Sequence, residues 1–306
     1  MKHIVLTTEM RVKVSERICY DFKLRKNYMH LLTFRDSLHA YFLRLLPGPF
    51  GRYRRRYAFY LKIKNSNLLL RRRIRHSGIV LPLNLGEWVQ YWMFMDGAYE
   101  KQLVDFLKPI VKGKTFFDVG ANIGAYTLTL AKSAARTYSF EASASNANIL
   151  RNFIGLSKLS SIEVINKAVS NKSGESVSIY SSPDTGGNNT QFHDFGKGCE
   201  TISTITLDQF VADNNIDLVD VIKIDIEGAE LAAFQGAHNL LSKCRPVLLV
   251  EFNALAAKQA NWRLVELYNL LKNYDYNVFE LSRKGLISFE PSRLSSPEFY
   301  ANLIFQ

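Results

Sequence analysis

The chain of 306 residues has little cysteine and no long apolar run. Its three cysteines, Cys19, Cys199 and Cys244, are scattered, show no C-x-x-C spacing and have no histidine pair nearby. A structural zinc site and a disulfide framework are therefore disfavoured, and a reducing compartment is expected. The chain has no run of about 18 apolar residues, which a bilayer span requires, and its first residues lack the apolar core of a signal peptide. We therefore expect a cytoplasmic protein.

Acidic residues are scarce in the first third of the chain. Residues 1–95 carry 19 Lys and Arg against 5 Asp and Glu, a net charge of +14, whereas residues 96–306 carry 20 against 23. The net charge of +11 thus belongs to the N-terminal part. We predict a basic, mainly helical extension over residues 1–78, followed by a catalytic domain over 79–306 with its core at 97–306. We therefore expect the extension to bind whatever partner the positive charge attracts.

From residue 97 onward, strand patterns alternate with helix patterns, which predicts an α/β fold with a mostly parallel, Rossmann-like sheet. The apolar runs at 79–83 and 88–94 predict a hairpin just before this core. Strands of the core are expected near 115–119, 137–141, 162–166, 176–180, 219–224, 246–251, 277–281 and 301–305. Open sheets of this kind bind ligands at the carboxyl ends of their strands.

The first core strand runs into a glycine turn and then a helix at residues 116–126. Such a unit can place backbone N–H groups and a helix N-terminus against a ligand. Gly120 and Gly124 give the spacing G-x-x-x-G, which is not the dinucleotide fingerprint. Asp118 precedes the turn, and its carboxylate would repel a pyrophosphate but attract a cationic ligand. An ordinary strand–helix turn without a ligand is the alternative at this stage.

Glu141 ends the next strand, about 20 residues after the turn, where an acid can accept both hydroxyls of a ribose. A ligand with a ribose and a positive charge but no pyrophosphate is expected. S-adenosylmethionine (SAM) meets these conditions, so we predict SAM as the cofactor.

The segment Lys-Ile-Asp-Ile-Glu-Gly-Ala-Glu at 223–230 narrows this prediction. Together with Asp118–Gly124, Phe140–Glu141, Asn166 with Ala168, and Thr206–Asp208, it resembles the FkbM family of SAM-dependent methyltransferases over residues 97–252. The resemblance implies a class I methyltransferase with a seven-stranded core and an O-methyltransferase acting on a hydroxyl of a sugar or glycoconjugate intermediate. One departure is Ala142, where the family usually has proline. The residues expected to bind the cofactor are Glu100, Asp118, Gly120, Ala121, Asn122, Gly124, Glu141, Ala142, Asn166, Ala168 and Asp225.

Methyl transfer to a hydroxyl needs alignment and a base that removes the proton. We predict Asp225, His193 and Glu227 as the catalytic candidates. Asp225 ends a core strand but could equally cap the following helix. Glu227 could be a base or a helix-start acid, and His193 lies in a polar, glycine-rich loop at 181–200. No His, Asp or Glu cluster shows ligand spacing along the chain, so no metal is expected.

Two alternatives to an O-methyltransferase that acts on a sugar or glycoconjugate stay open. The basic extension, rich in leucine and aromatic residues, is expected to hold the protein at an anionic membrane surface. The triplets Arg54–Arg56 and Arg71–Arg73 could instead hold RNA, which would make the chain an RNA methyltransferase. A non-catalytic scaffold with the SAM fold is the third reading.

Overall fold

The structure, a computed structural model, describes residues 34–45, 52–180, 190–194, 196 and 198–306. Predictions for the rest of the extension and for most of the loop at 181–200 fall outside the described residues. The chain divides into two compact units that interleave along the sequence: residues 1–74 and 80–99 form one, and residues 75–79 and 100–306 form the other. The boundary predicted at residue 78 falls inside the interleaved stretch.

The first unit packs short helices and a two-stranded hairpin around an aromatic core. Tyr41 and Phe94 meet edge to face with ring centroids 5.3 Å apart. The Tyr91 hydroxyl donates to the carbonyl oxygen of Arg56 at 2.6 Å. The elements are α1 (Phe34–Leu45), α2 (Arg52–Ile63), β1 (Leu69–Arg73), β2 (Val80–Asn84) and α3 (Trp88–Asp96).

The predicted hairpin of residues 79–83 with 88–94 is wrong in its second half. Strand β2 forms an antiparallel pair with β1, which precedes it in the chain, and Arg71 lies opposite Pro82. Residues 88–96 form helix α3. Val89 to Met95 are all buried. A helix buried on every side is apolar on every side, so its sequence shows no helical period and is easily taken for a buried strand.

The elements of the second unit are α4 (Lys101–Ile110), β3 (Thr115–Val119), α5 (Ala125–Leu130), β4 (Arg136–Phe140), α6 (Ala144–Ser157), β5 (Ile162–Ile165), β6 (Ala168–Val169), β7 (Ser176–Tyr180), β8 (Cys199–Ile205), α7 (Leu207–Asp213), β9 (Val221–Ile224), α8 (Glu230–Gln235), α9 (His238–Cys244), β10 (Val247–Asn253), α10 (Ala254–Gln259), α11 (Leu264–Lys272), β11 (Val278–Ser282), β12 (Gly285–Ser288), a short 3-10 helix (Pro291–Ser295) and β13 (Tyr300–Phe305). The unit contains an eight-stranded sheet in the order β12-β11-β13-β10-β9-β3-β4-β5. Strands β10, β9, β3, β4 and β5 are mutually parallel, while β13, β11 and β12 add antiparallel pairs at one side.

The predicted α/β class and Rossmann-like sheet are confirmed. Seven of the eight strands expected after residue 97 lie in this sheet, and β12 is an eighth member at its edge. The remaining expected strand, β7, pairs with β8 in a separate three-stranded sheet that also contains β6. Because five parallel strands end at one edge, the polar residues that follow them are brought together there.

Aromatic side chains fill the core on one face of the sheet. Phe140 and Phe210 have ring centroids 4.8 Å apart, and Phe117 lies within 5.8 Å of both. Each of these rings is at most 4% exposed. Fully burying such a side chain contributes about 1.5–3 kcal/mol, so this cluster helps to hold the sheet edge in place.

None of the helices in the described part of the chain combines the length and apolar character that crossing a membrane would require.

Candidate active site

The turn after β3 is closed by its own hydrogen bonds. The amides of residues 120–124 donate to Phe140 O (from Gly120 and Ala121, 2.9 Å each), the Glu141 carboxylate (from Asn122, 2.7 Å), the Asn122 side chain (from Ile123, 2.7 Å) and Ala121 O (from Gly124, 2.8 Å). Phosphate sites in such turns need backbone N–H groups that point at the ligand. These five N–H groups already have acceptors, which argues against a pyrophosphate and modifies the expectation that the turn offers amides to a ligand.

Gly120 lies in contact with the strand beside it. Its φ of +76° is in the left-handed region, and a Cβ at this position would come within 1.9 Å of the carbonyl oxygen of Asp225. Only glycine fits there, because both the backbone conformation and the space exclude a side chain. The turn and the end of β9 are therefore fixed against one another.

Asp118 lies beneath the turn and is only 1% exposed. Its Oδ2 accepts hydrogen bonds from the backbone and hydroxyl of Thr127 at 3.0 and 2.6 Å, which anchors α5. Its Oδ1 has no hydrogen-bond partner among the residues that the structure describes. Burial raises the pKa of Asp118, while Lys223 and the bonds from Thr127 oppose the rise. Direct contact between Asp118 and the cofactor stays a prediction.

Glu141 is held at the end of β4 by two backbone amides. Asn122 donates to Oε2 at 2.7 Å and Ser143 donates to Oε1 at 2.9 Å. Burial raises the pKa of Glu141 to about 7, against the effect of these two bonds and of Lys223. A carboxylate oxygen can accept two hydrogen bonds, so each oxygen of Glu141 can still receive a ribose hydroxyl.

Asn166 supports the segment after Glu141. Its side-chain amide donates to the carbonyl oxygens of Glu141 and Ala142 at 2.8 and 3.0 Å, so Asn166 holds this loop by its backbone. These two hydrogen bonds hold the backbone at Ala142, the one departure from the family pattern. Ala168 is 2% exposed and belongs to β6 in the small sheet.

Glu100 begins α4 in a left-handed conformation, with φ of 44°. The Tyr126 hydroxyl donates to its Oε2 at 2.7 Å, and the Asn302 amide donates to its Oε1 at 3.3 Å. Burial raises the pKa of Glu100. Glu100 therefore joins the first turn of α5 to the last strand at the same edge of the sheet.

Lys223 is the buried cation of the site. Its Nζ lies 3.2 Å from Asp225 Oδ2 and 3.3 Å from Gly120 O, and it stands over the Tyr126 ring at 5.3 Å. Burial alone would lower the pKa of Lys223, but Asp225, Asp118 and Glu100 raise it above its ordinary value. The ammonium thus stays charged and orients Asp225.

The turn at 226–230 is held by Glu230, whose carboxylate accepts the amides of Ile226 at 2.9 Å and of Gly228 at 3.0 Å. Glu227 has a φ of 50° in this turn. Gly228 has a left-handed backbone conformation. Its surroundings are also crowded, because a Cβ there would come within 2.8 Å of the carbonyl oxygen of Ala256. The Ile-Glu-Gly-Ala-Glu part of the motif therefore encodes a turn that presents Glu227 and keeps Glu230 for the backbone.

Asp225, Glu227 and Glu251 bring one carboxylate oxygen each to within 4.8 Å of one another. Burial, with repulsion from Asp225 and Glu230, raises the pKa of Glu227 to about 8. Burial and the same neighbours raise the pKa of Glu251 well above its usual range, and a hydrogen bond from Tyr300 opposes this. Asp225 and Glu227 were predicted as catalytic, and the fold adds Glu251 to them.

Residues 190–194, one described part of the polar loop at 181–200, run beside this turn. Thr190 is buried and its hydroxyl donates to Glu227 O at 3.0 Å. A Cβ on Gly228 would lie 3.1 Å from the Phe192 ring. His193, the third catalytic candidate, has an exposed side chain just after this contact. The loop is thus attached to the Glu227 turn, and the role of His193 as a base stays a prediction.

The segment Thr206–Asp208, part of the family resemblance, is structural. Thr206 caps α7 by accepting the amide of Gln209 at 3.0 Å. Asp208 accepts the amides of Asn239 and Leu240 at 2.8 Å each and so caps α9. Thr206 is a good N-cap residue, and such a cap stabilises by about 1 kcal/mol.

Tyr126, Tyr300 and Asn302 were missed as site residues. Asn302 and Tyr300 lie on β13, which pairs with β10 in the register Glu251 to Asn302 and Asn253 to Tyr300. An antiparallel pairing across fifty residues leaves no local sequence signal. Tyr126 could have been found, since it lies two residues after Gly124 in the first turn of α5.

The chain matches the family model of the methyltransferase FkbM domain over residues 118–278. A search of curated proteins gave no match. Among solved structures, the methyltransferase FkbM from Methylobacillus flagellatus KT is 17% identical, with a TM-score of 0.43, over 96% of this chain and 60% of that one. The chain therefore spans 60% of the length of that protein.

Two further solved structures are similar at the same level. The O-methyltransferase from Bacillus cereus, in complex with SAH, is 18% identical with a TM-score of 0.39 over 67% of this chain and 78% of that one. Trm5b from Pyrococcus abyssi is 13% identical with a TM-score of 0.39 over 77% and 54%. These likenesses are too distant to indicate an activity. The family model alone covers more than half of the sequence, and the chain belongs to the FkbM methyltransferase family.

Proposed function

We propose that this protein transfers a methyl group from SAM to a hydroxyl of a sugar or glycoconjugate intermediate. The observation that carries the proposal is the acid-rich strand edge, where Lys223 is surrounded by Glu100, Asp118 and Asp225. In the glycine turn beside it, the five backbone N–H groups of residues 120–124 already have acceptors. Such an edge favours a cationic nucleoside over a nucleotide. The sugar acceptor rests on the family membership.

The described residues fit SAM. Glu141 offers two carboxylate oxygens for ribose hydroxyls, and the buried Asp118 Oδ1 without a partner leaves negative charge beneath the turn. A sulfonium and an ammonium would find compensation there, because SAM brings the positive charge that the edge lacks. We assign the ribose to Glu141 and the charged end of SAM to the side of Asp225 and Glu100.

The reaction exchanges one bond for another. The acceptor hydroxyl loses its proton, its oxygen forms the new O–CH3 bond, and the S–CH3 bond breaks to leave a neutral thioether. Proximity and alignment supply most of the acceleration. Asp225, Glu227 and His193 are the candidate bases. Burial and repulsion from Asp225 and Glu230 raise the pKa of Glu227, which makes its carboxylate a stronger base once it is ionised.

An acceptor groove lies beside the Glu227 turn. A cavity of about 1020 Å³ is lined by residues of α10, α11, the segment between them and the 3-10 helix, including Lys258, Trp262 and Arg263. The Trp262 indole donates to Gly228 O at 2.7 Å, which joins the groove wall to the turn. A wall with an aromatic ring and several polar side chains suits a sugar, which offers both apolar faces and hydroxyls.

The proposal is tested with the full chain and SAM labelled on its methyl group. Cell extract is separated into lipid-linked glycans, RNA and protein, and label incorporation is measured in each. We expect label in the glycan fraction. Label in RNA instead would favour the RNA methyltransferase alternative, and SAM binding without label in any fraction would favour the scaffold alternative.

We also propose that the first unit binds an anionic membrane surface. Exposed apolar side chains follow helical spacing on α1 (Leu38, Phe42 and Leu45) and on α2 (Tyr53, Tyr57 and Leu61). Arg54 and Arg55 are exposed between the latter. Arg56, in contrast, is 2% exposed and bonded to Asp96 at 2.7 Å, so one arginine of the triplet stabilises the unit. Apolar stripes flanked by positive charge are typical of interfacial helices.

A further inference from the structure

Three carboxylates from two parts of the chain converge at the edge of the sheet. Asp225 follows β9, Glu227 lies in the next turn, and Glu251 belongs to β10, which is the parallel neighbour of β9. One oxygen of each lies within 4.8 Å of the others. Acidic residues do cluster without a ligand, so the cluster alone does not indicate a bound ion.

Glu251 supplies the second observation. Its side chain is 6% exposed and its Oε2 has no hydrogen-bond partner in the described parts of the chain. A buried carboxylate oxygen without a donor costs free energy, because it has lost water and gained nothing in exchange. The arrangement is explained if a ligand with positive charge completes it.

Lys223 does not complete it. Its Nζ lies 3.2 Å from Asp225 Oδ2 and is also bonded to Gly120 O, on the side of the glycine turn. The described contacts of Lys223 involve Asp225 but neither Glu227 nor Glu251. Within the described residues, no direct contact therefore pairs a cation with either glutamate.

We propose that Asp225, Glu227 and Glu251 bind one divalent cation that prefers oxygen ligands, such as Mg²⁺, Mn²⁺ or Ca²⁺. Carboxylate oxygens are the ligands these hard cations take. Oxygens lie about 2.1 Å from Mg²⁺ and about 2.3–2.6 Å from Ca²⁺, so oxygens on opposite sides of an ion are ~4.2–5.2 Å apart. The observed limit of 4.8 Å falls within that span.

The proposed site differs from the expectation, drawn from the sequence, that the protein binds no metal. That expectation rested on the absence of ligand spacing along the chain, whereas Glu251 reaches the cluster only through the pairing of β10 with β9. Holding three carboxylates within 4.8 Å of one another costs repulsion, which a bound cation would remove.

The cation also has a role in the reaction, and this part rests on the proposed function. A divalent cation can bind the acceptor hydroxyl and lower its pKa, so that the proton leaves more readily. Two neighbouring hydroxyls of a sugar would bind such an ion as a pair. The site would then select acceptors with adjacent oxygens.

The binding part is tested with Mn²⁺ alone, without SAM or acceptor. Full-length protein is treated with EDTA, freed of it by dialysis and titrated with Mn²⁺, and the free ion is followed by electron paramagnetic resonance. We expect one Mn²⁺ per chain. Loss of a ligand should weaken binding about tenfold or more, in Glu251→Gln and in Glu227→Gln alike. The control Glu298→Gln, at an exposed glutamate, should bind as wild type does.

Either of two results would overturn the site: no saturable binding at millimolar Mn²⁺, or unchanged affinity in both glutamate variants. Circular dichroism checks that each variant is folded. If Glu251→Gln does not fold, Glu227→Gln carries the test, because its side chain is partly exposed.

Methyl transfer in EDTA, with and without added Mg²⁺ or Mn²⁺, tests the role in the reaction. Activity lost in EDTA and restored by the ion supports that role, whereas full activity in EDTA contradicts it. Calorimetry of SAM binding separates the two proposals. SAM binding without Mn²⁺ binding contradicts only the metal site, and Mn²⁺ binding without SAM binding contradicts the proposed function.

Discussion

The backbone N–H of Asn122 donates a hydrogen bond to Oε2 of Glu141 across 2.7 Å. This bond ties the glycine turn after β3 to the end of β4, and the amide of Ser143 holds the other oxygen at 2.9 Å. Glu141 is thereby oriented before any ligand arrives. Orientation in advance reduces the entropy that binding would otherwise cost.

Glu141→Ala should weaken SAM binding by about tenfold or more, since hydrogen bonds to a charged group contribute about 1.5–3 kcal/mol each. Isothermal titration calorimetry measures the change. Glu163→Ala on the neighbouring strand β5 is the control, because its side chain is 43% exposed and paired with Arg136. NAD should not bind either form. Unchanged SAM affinity in Glu141→Ala would contradict the assignment of the ribose.

SAM affinity should rise with pH through neutrality. Burial raises the pKa of Glu141 to about 7, so the carboxylate that accepts ribose hydroxyls is mostly protonated below pH 7 and ionised above it. Between pH 6 and pH 8 the ionised fraction rises about tenfold, and affinity should follow. Glu141→Gln should flatten this dependence. The raised pKa works the opposite way on stability: its contribution is present below the ordinary glutamate pKa and is lost as pH rises through 7.

Asp225→Asn should lower turnover by about a hundredfold or more, within the range that general base catalysis supplies. The amide keeps the shape of the side chain but removes the charge that Lys223 pairs with at 3.2 Å. Steady-state rates with labelled SAM measure the effect, and circular dichroism shows whether the fold survives. Wild-type turnover in a folded Asp225→Asn protein would remove Asp225 from the mechanism.

His193→Ala should lower turnover with little effect on SAM affinity, since the side chain is exposed in the loop beside the Glu227 turn. His238→Ala, an exposed histidine on α9, is the control. If the rate of His193→Ala stays near that of wild type, the base is one of the carboxylates. Glu227→Gln and Glu251→Gln are then the variants to assay.

The full-length protein should bind vesicles that contain acidic lipid, and binding should weaken with salt because exposed charges are screened within about 10 Å at 0.1 M. Reversing charge in Arg54→Glu with Arg55→Glu should abolish sedimentation with the vesicles. Replacing exposed rings in Phe42→Ser with Tyr57→Ser should weaken it at every salt concentration. Lys172→Glu with Lys284→Glu, in the other unit, is the matched control.

A gel shift with RNA at matched salt tests the competing partner. RNA binding together with indifference to acidic vesicles would contradict the membrane proposal. Binding to neither would also contradict it, and would point to a protein partner for the first unit.

The sequence predicted the parallel part of the sheet well, because each strand there is a short apolar run bounded by turn residues. It predicted Glu141 and Asp225 at strand ends for the same reason. It failed where burial erases the pattern, as in α3, and where residues converge only through distant pairing. Tyr300 and Asn302 join the strand edge that carries Glu251 because β13 pairs with β10, and no spacing along the chain encodes that.

The contact between Gly120 and the carbonyl oxygen of Asp225 limits how the sequence of this protein can change. Any side chain at 120 would push on the end of β9, since a Cβ would meet that oxygen at 1.9 Å. A substitution in the cofactor turn would therefore move the carboxylate cluster as well. We expect random mutagenesis to recover no variant at Gly120 that alters cofactor preference while sparing turnover. A change in the glycine turn during evolution should therefore require a matching change at the end of β9.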